Sequence, residues 1–529
     1  MPVKSNHVDI QVPVVDLWSF YMETPRQFPE DHAILIDSET GRSYNFAAIR
    51  ELATEFGKGL RHVFKWNKGD TVGFYTPNNI DIPVLNLGVH WAGGIASPAN
   101  PTYTVEELAR QLKDSEAKVL LTQKPFLPAA VKAAELAGIP VDRVILLGDG
   151  RDETGVHRHW TQINAKDAWL QPKRALIDPK TDLAYLVYSS GTTGMPKGVM
   201  LNHYNMIANA VQSKDFDIQT MSWDRDTHLG VLPLFHIYGL GPVLHSTLHT
   251  GARLIMMAKF EIEKACKAIQ DHKITFLYIP PPIVLALGKH PIVDKYDLSS
   301  LRWINSGAAP LSKELVTAVW ERLRIGLADE FWKLQGSVGK LLPNMEAKIV
   351  DEEGKELKTG EAGELLLKGP NIFSGYWKRP DLNSETFTED GWYRTGDVFY
   401  ICPKGFFYIT DRKKELIKYK GFQVPPAELE AKIIGREDVA DVCVIGVWDK
   451  EQHTEIPRAY IVLKPGVEES DEKAKEIIQW LNGKVAPPKK LRGGVRFVKD
   501  IPKSQAGKIL RRVLRDQVKA EEEAPRAKL

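Results

Sequence analysis

Three things are scarce in this chain of 529 residues, and each scarcity excludes a class of protein. Cysteine occurs three times, at Cys266, Cys402 and Cys443, with no Cys-x-x-Cys pair. That excludes a disulfide framework and a cysteine zinc cluster, suits a reducing compartment, and leaves each thiol as a small buried hydrophobe. An excess of one charge sign is also missing: 70 Lys and Arg face 68 Asp and Glu, a net charge of +2. A surface built to track a nucleic-acid backbone would be more lopsided, so no nucleic-acid partner is expected. Long apolar runs are absent too. The strongest, Phe276 to Gly288, is interrupted by Pro280, Pro281 and Pro282, so no membrane span is expected. The amino terminus lacks the apolar stretch of a secretory signal.

What is present belongs to an ordinary globular protein. Hydrophobic residues make up 43% and charged residues 26%, and the length predicts two to four domains at about 150 residues each. In the first half, apolar runs such as Val72-Gly73-Phe74-Tyr75, Val119-Leu120-Leu121 and Val144-Ile145-Leu146-Leu147 alternate with amphipathic stretches at Ala47 to Phe64 and Val105 to Asp114. Buried strands alternating with helices predict βαβ units and a largely parallel sheet covered on both faces. From Ser337 to Tyr408 the texture shifts to short apolar runs separated by glycines, which predicts an antiparallel β subdomain. After the charged stretch Asp411-Arg412-Lys413-Lys414 a new α/β pattern begins. Pro425-Pro426 opens a helix, strands follow at Val442 to Val447 and Ala459 to Leu463, and Glu476 to Leu481 is helical. The expected division is a large α/β domain over residues 1–410 and a small α+β domain over 411–529.

The strongest local signal is Tyr188-Ser189-Ser190-Gly191-Thr192-Thr193-Gly194-Met195-Pro196-Lys197-Gly198. Glycines, hydroxyls and one lysine on a single loop can wrap a polyphosphate with backbone N–H groups, hydroxyl donors and a point charge. It is not a Walker A loop: Pro196 precedes the lysine, and a strand-like Gly198-Val199-Met200-Leu201 follows where that motif needs a helix.

With the blocks that follow, the chain resembles the adenylate-forming superfamily of acyl-CoA synthetases, 4-coumarate–CoA ligases and beetle luciferases, most of all the 4-coumarate–CoA ligase-like acyl-CoA ligases. Those blocks are Pro233-Leu234-Phe235-His236-Ile237-Tyr238-Gly239, Asn305-Ser306-Gly307-Ala308-Ala309-Pro310-Leu311, Gly391-Trp392-Tyr393-Arg394-Thr395-Gly396-Asp397, Asp411 to Gly421, and Ile501 to Lys508. The resemblance implies a large AMP-binding domain with a small mobile carboxyl-terminal lid. The substrates it implies are ATP, as a Mg2+ complex, coenzyme A, and a small carboxylic acid, aryl or fatty. A carboxylate oxygen would attack the α-phosphate, pyrophosphate would leave, and the thiol of coenzyme A would then displace AMP from the acyl-adenylate. Both steps are chiefly problems of gathering anions and holding them in line.

By the same resemblance Ser189, Ser190, Gly191, Thr192, Thr193, Gly194 and Lys197 would cradle the nucleotide phosphates. Asp397 would accept the ribose hydroxyls with Arg412 beside it. Lys508 would reach the α-phosphate, where a well-aimed charge can be worth about two to three orders of magnitude in rate. Lys418 and Gly421 would present the face used for thioester formation, after the lid turns about Asp411 to Lys414. His236, Tyr238, Gly307, Ala308 and Ala309 would line the acyl pocket. His236 is also counted with Lys508 and Lys418 among the catalytic candidates, its alternative reading being a satisfied core histidine, and Lys484, Lys489, Lys490, Arg492, Arg496 and Lys499 are either contacts for coenzyme A phosphates or a solvated basic face.

The family pattern breaks in one place. Family members carry Tyr-Gly-x-Thr-Glu after the helix through Trp320 and Leu323, its glutamate holding magnesium. Here Arg324-Ile325-Gly326-Leu327 runs directly into Ala328-Asp329-Glu330, and neither Tyr-Gly nor Thr accompanies Glu330. The expected metal-binding carboxylate is therefore missing, no metal ligand is assigned, and a buried strand is expected to be lost beside the site. Two readings stay open: an active ligase, or an impaired member or shortened splice or gene-model form. Last, Ala527-Lys528-Leu529 is close to the Ser-Lys-Leu peroxisomal address, which predicts an import-receptor partner and a peroxisomal location.

Overall fold

The computed structural model describes every residue except 1, 166–170, 190–195, 217–220, 309–310, 312, 326–335, 413–414, 421, 450–451, 504–508 and 524–529. The first half builds two six-stranded sheets. In one the order is Val144–Leu147, Ala117–Gln123, Thr71–Tyr75, Ile95–Ala99, Leu183–Ser189 and Lys197–Asn202, parallel except for the last pair. In the other it is Trp303–Ser306, Phe276–Ile279, Thr227–Gly230, Arg253–Met256, Ala33–Asp37 and Ser43–Asn45, again parallel until the final hairpin. The largely parallel βαβ organisation expected from the sequence is thus divided between two sheets, each closed at one edge by an antiparallel partner. Periodicity reports that a strand is buried, not which sheet buries it.

One core serves both sheets. It gathers Val72, Phe74, Val119 and Ile145 from the first with Leu35, Leu254, Met256 and Tyr278 from the second. The helix Asp81–Trp91 is buried at every residue, so its neighbour Phe46–Val63 must approach very closely. Glycines permit this. A Cβ on Gly57 would lie 2.8 Å from the Gly88 carbonyl oxygen, and one on Gly88 2.8 Å from that of Ala53. Local signals agree with the packing: the Asn45 side chain caps Phe46–Val63, and Thr104 with Glu107 forms a capping box on Val105–Asp114.

The Asp81 carboxylate, with no exposed surface, ties the sheets together. It accepts from Arg42 (2.9 Å) and the Tyr44 hydroxyl (2.8 Å) on the second sheet's hairpin. It also accepts from the Gly148 N–H (2.8 Å) and Trp160 Nε1 (3.0 Å), beyond the edge strand of the first. Four donors of this kind are what a buried carboxylate needs to offset its desolvation.

The glycine-rich middle is a five-stranded antiparallel sheet, as expected. Its outermost strand is Val3–Lys4, brought from the far amino terminus onto Glu346–Val350. The strand Phe407–Arg412 continues through Asp411 and Arg412, which pair with Val398 and Asp397. A separate apolar cluster then runs from Ile417 to Val518 around the helix Pro426–Ile434 and the sheet Val439–Asp449, Thr454–Leu463 and Val495–Phe497. Arg511 fastens it by pairing with Glu415 and Glu430. Of the cysteines, Cys266 and Cys443 are buried as expected; Cys402 is partly exposed, because it sits at the turn ending the strand Tyr393–Ile401. Asp81→Ala should lower unfolding free energy by about 3 kcal/mol in urea titration, since it leaves the Tyr44, Gly148 and Trp160 donors without their acceptor and Arg42 with Asp149 alone.

Candidate functional site

The residues singled out in the sequence lie at strand ends and in the loops just beyond them. Ser189 is the last residue of Leu183–Ser189, and Lys197 the first of Lys197–Asn202; the two are directly paired across the ribbon. The intervening loop, with Ser190, Gly191, Thr192, Thr193 and Gly194, lies outside the described residues. Its two ends are therefore closed on one another at the carboxyl end of a strand that is parallel to its sheet. In open α/β sheets that is the end at which ligands bind.

The ribbon is clamped from outside. Met200 N–H donates to the Gly375 carbonyl (2.9 Å), Ser374 N–H to that of Met200 (2.9 Å), and Trp377 N–H to that of Gly198 (2.8 Å). The segment 374–377 thus runs beside Lys197–Asn202 as a short extra strand, with Tyr376 opposite Val199. Gly198 is fitted between two rings: a Cβ there would be 3.2 Å from Tyr188 Cζ and 3.3 Å from Trp377 Cβ. Tyr188 donates its hydroxyl to the Asp114 carboxylate. Burial first, then that acceptor, hold the phenol protonated far above its ordinary range.

The acyl-pocket candidates come together at the carboxyl ends of the second sheet. The His236–Tyr238 loop follows Thr227–Gly230, and Gly307 follows Trp303–Ser306, with Phe276–Ile279 between them in the sheet. Tyr238 donates its hydroxyl toward Asn305, at 2.9 Å from Oδ1 and 3.1 Å from the carbonyl. Its ring lies against Gly307, where a Cβ would come within 3.0 Å of Cζ. Ala308 takes a left-handed backbone conformation, φ 70°, and Ala309 lies outside the described residues. His236 accepts the Tyr238 N–H at Nδ1 (3.2 Å), which leaves the proton of a neutral ring on Nε2. Asn305 was missed by the motif reading, although it opens the Asn-Ser-Gly-Ala block.

The other candidates sit on later elements. Asp397 pairs in register with Arg412, and its N–H is held by Thr395 Oγ1 at 3.1 Å. Lys418 is exposed on the small hairpin Ile417–Tyr419 and Phe422–Val424, its N–H donating to Glu455 (2.7 Å). Gly421 and Lys508 lie outside the described residues, although Lys503 and Ile509, flanking Lys508, are bridged. Of the basic face, Arg492 covers the Tyr419 ring at 4.3 Å and Lys489 pairs with Glu428. Among the described residues no group of three or more His, Cys, Asp or Glu could hold a metal ion.

Known proteins decide the family. The AMP-binding enzyme model matches residues 22–377, and the AMP-binding enzyme C-terminal domain matches 428–508. The chain belongs to the AMP-binding enzymes. It is 36% identical to probable 4-coumarate–CoA ligase 1 of Dictyostelium discoideum, over 97% of both chains, and 36% identical to 4-coumarate–CoA ligase 1 of Solanum tuberosum, over 98% and 96%. Among solved structures it resembles the anthranilate CoA ligase AuaEII in complex with anthranoyl-AMP (25% identity, 96% and 98% coverage, TM-score 0.84). It also resembles ATP-bound MatB from Rhodopseudomonas palustris (27%, 96% and 99%, TM-score 0.81). As an AMP-binding enzyme of this kind the protein is an AMP-forming acid–thiol ligase, with ATP, a carboxylic acid and coenzyme A as substrates. Its alignment with the Dictyostelium relative spans 549 positions, more than the 529 residues present here. The relative thus has residues with no counterpart in this chain. The Leu327–Ala328 junction, where the sequence places the loss, lies outside the described residues. Trp303–Ser306 is an end strand of its sheet among the described residues, with Trp303 40% exposed.

Behind the ribbon this AMP-binding enzyme buries a polar knot. Tyr185, on the ribbon strand, and Tyr21 flank His245, at 3.0 Å from Nε2 and 2.9 Å from Nδ1. His203, just after the ribbon, accepts the Leu17 N–H (3.2 Å), and the His90 ring meets both Tyr185 and His203 edge-on. Burial is the main cause lowering His203 to about 4, against the opposing pull of Asp16 and Asp182. It takes His245 to about 3, helped by His203, and His228 on the second sheet to about 4. Free imidazoles protonate near 6.5. Between there and pH 4 the unfolded chain takes up protons that the folded chain refuses, so stability is complete above pH 6.5 and falls as pH drops. Unfolding free energies from urea titration between pH 7 and 5 should fall by up to about 1.4 kcal/mol per pH unit for each such histidine, with a shallower slope for His245→Gln; a flat profile would contradict this account.

Proposed function

We propose that the enzyme activates an aryl carboxylic acid, presented with MgATP, and passes the acyl group to the thiol of coenzyme A. The cross-strand pairing of Ser189 with Lys197 carries this reading, because it closes a hydroxyl-rich loop at the carboxyl end of a sheet and holds an ammonium at its mouth. In the proposal Ser189, Ser190, Gly191, Thr192, Thr193, Gly194 and Lys197 neutralise and hold the phosphates, while Asp397, with Arg412 across the strand, takes the ribose hydroxyls. Lys508 meets the charge that develops on the α-phosphate as the acid's oxygen attacks and pyrophosphate departs. The lid then turns to bring Lys418 and Gly421 toward the site for thiol attack and release of AMP.

An aryl acid is favoured over a fatty one by the relatives, since 4-coumarate and anthranilate ligases carry aryl acids in their names. Mg2+ enters here as the counter-ion of the nucleotide, and no resident metal ligand is assigned. The Ala527-Lys528-Leu529 ending, outside the described residues, is proposed as a peroxisomal address read by the import receptor.

Pyrophosphate release with ATP and a panel of aryl and fatty acids tests the reaction. Release above background with aryl acids supports it; background with every acid would instead favour an impaired relic, as expected if the missing Tyr-Gly-x-Thr-Glu is indispensable. Lys197→Met should weaken ATP binding about 10- to 100-fold, the worth of a charge-assisted hydrogen bond, leaving the melting temperature near the parent's. Residues 521–529 fused to a fluorescent protein should direct it to peroxisomes, and diffuse fluorescence would remove the address.

A further inference from the structure

The clamp on the phosphate ribbon does more than hold it in place. Lys197 Nζ lies over the ring of Tyr376, 5.3 Å from its centroid, within the range at which a ring face attracts an ammonium. The pairing follows from register. Tyr376 stands opposite Val199, and Val199 and Lys197, two residues apart on one strand, share a face of the ribbon. Tyr376 is therefore the diagonal neighbour of Lys197, a separation that an aromatic ring and a long side chain can bridge.

The ring itself is held with unusual completeness for a residue outside regular structure. Asn383 Oδ1 accepts the Tyr376 N–H at 2.6 Å, and its Nδ2 donates to the Tyr376 carbonyl at 3.1 Å, so one side chain satisfies both backbone groups. Gly375 adopts φ 124°, open to glycine alone, and a Cβ there would lie 3.0 Å from the Asn383 amide. Phe373 packs against the ring with centroids 5.2 Å apart. A lysine stem is long and flexible, and fixing it when a ligand arrives costs rotamer entropy. A ring fixed beforehand, at the diagonal position, meets part of that cost in advance.

We infer that Tyr376 is a positioning residue that parks the Lys197 ammonium at the mouth of the phosphate loop through the face of its ring. This rests on the reading of Lys197 as a phosphate ligand. The ring, not the hydroxyl, is the working part, so the effect belongs to ATP binding and not to the acid or coenzyme A.

The test is ATP binding by calorimetry on the full chain, alongside KM for each substrate. Tyr376→Leu should weaken ATP binding about three- to thirtyfold and raise KM for ATP while leaving KM for the acid unchanged; Tyr376→Phe should restore both. In the Lys197→Met background Tyr376→Leu should have no further effect. If Tyr376→Leu destabilises the fold, Tyr376→Phe bearing successive ring fluorines keeps the shape while draining the ring face, and affinity should fall with each fluorine. The inference is overturned by an equal Tyr376→Leu effect in both Lys197 backgrounds, by a Phe variant as weak as Leu, or by indifference to fluorination. If Lys197→Met alone leaves ATP binding unchanged, the assignment of the phosphate loop fails first and takes this inference with it.

Discussion

The antiparallel pairing of Leu183–Ser189 with Lys197–Asn202 is the constraint on which the candidate site depends. A loop rich in glycine and hydroxyls has little to order it from within, since each glycine adds conformational entropy that folding must remove. What the structure shows is how its two ends, Ser189 and Lys197, are held. The ladder fixes both ends, the 374–377 segment borders the ribbon on its free edge, and Tyr188 is anchored by Asp114. Leaving the edge of a sheet uncovered would expose unpaired N–H and C=O groups; covering it with a segment that also carries Tyr376 joins edge protection to the site.

Beneath the ribbon the protein accepts an expensive arrangement. Histidines 90, 203 and 245 and tyrosines 21 and 185 are buried where aliphatic side chains would pack without desolvation. Their mutual hydrogen bonds and ring contacts offset that cost only in one arrangement, with the imidazoles neutral. A network of this kind holds Tyr185, on the first strand of the ribbon, and His203, just after the second. Asp81 plays the same part at the junction of the two large sheets, through four donors drawn from well-separated segments.

Much of this was readable from local pattern. The helices Phe46–Val63 and Val105–Asp114, the strand Val144–Leu147 and the helix opened by Pro425-Pro426 lie where periodicity and capping residues place them, because those signals act within a few residues. The hydroxyl-rich loop between Ser189 and Lys197 stood out because no ordinary turn combines so many hydroxyls with a lysine. The assignment of strands to two sheets was not legible, since burial leaves the same apolar run whichever sheet receives it. Nor was the strand Val3–Lys4, whose two residues carry no period and are defined wholly by a partner more than 300 residues away.

By itself, then, the sequence determined the class of reaction, through motif blocks in a recognisable order along the chain: a hydroxyl-rich loop ending in a lysine, the His236 and Gly307 blocks, the Asp397 block and the late block around Lys508. Such blocks are legible because charge, hydrogen-bonding capacity and side-chain volume are carried by each residue wherever it goes. Only the tertiary structure decided which of those groups face one another. Tyr376 meets Lys197, Tyr238 meets Asn305 and Gly307, and the backbone of Asp397 pairs with that of Arg412, through strand register and sheet order. Those are set by burial shared among distant segments, and no local pattern records them.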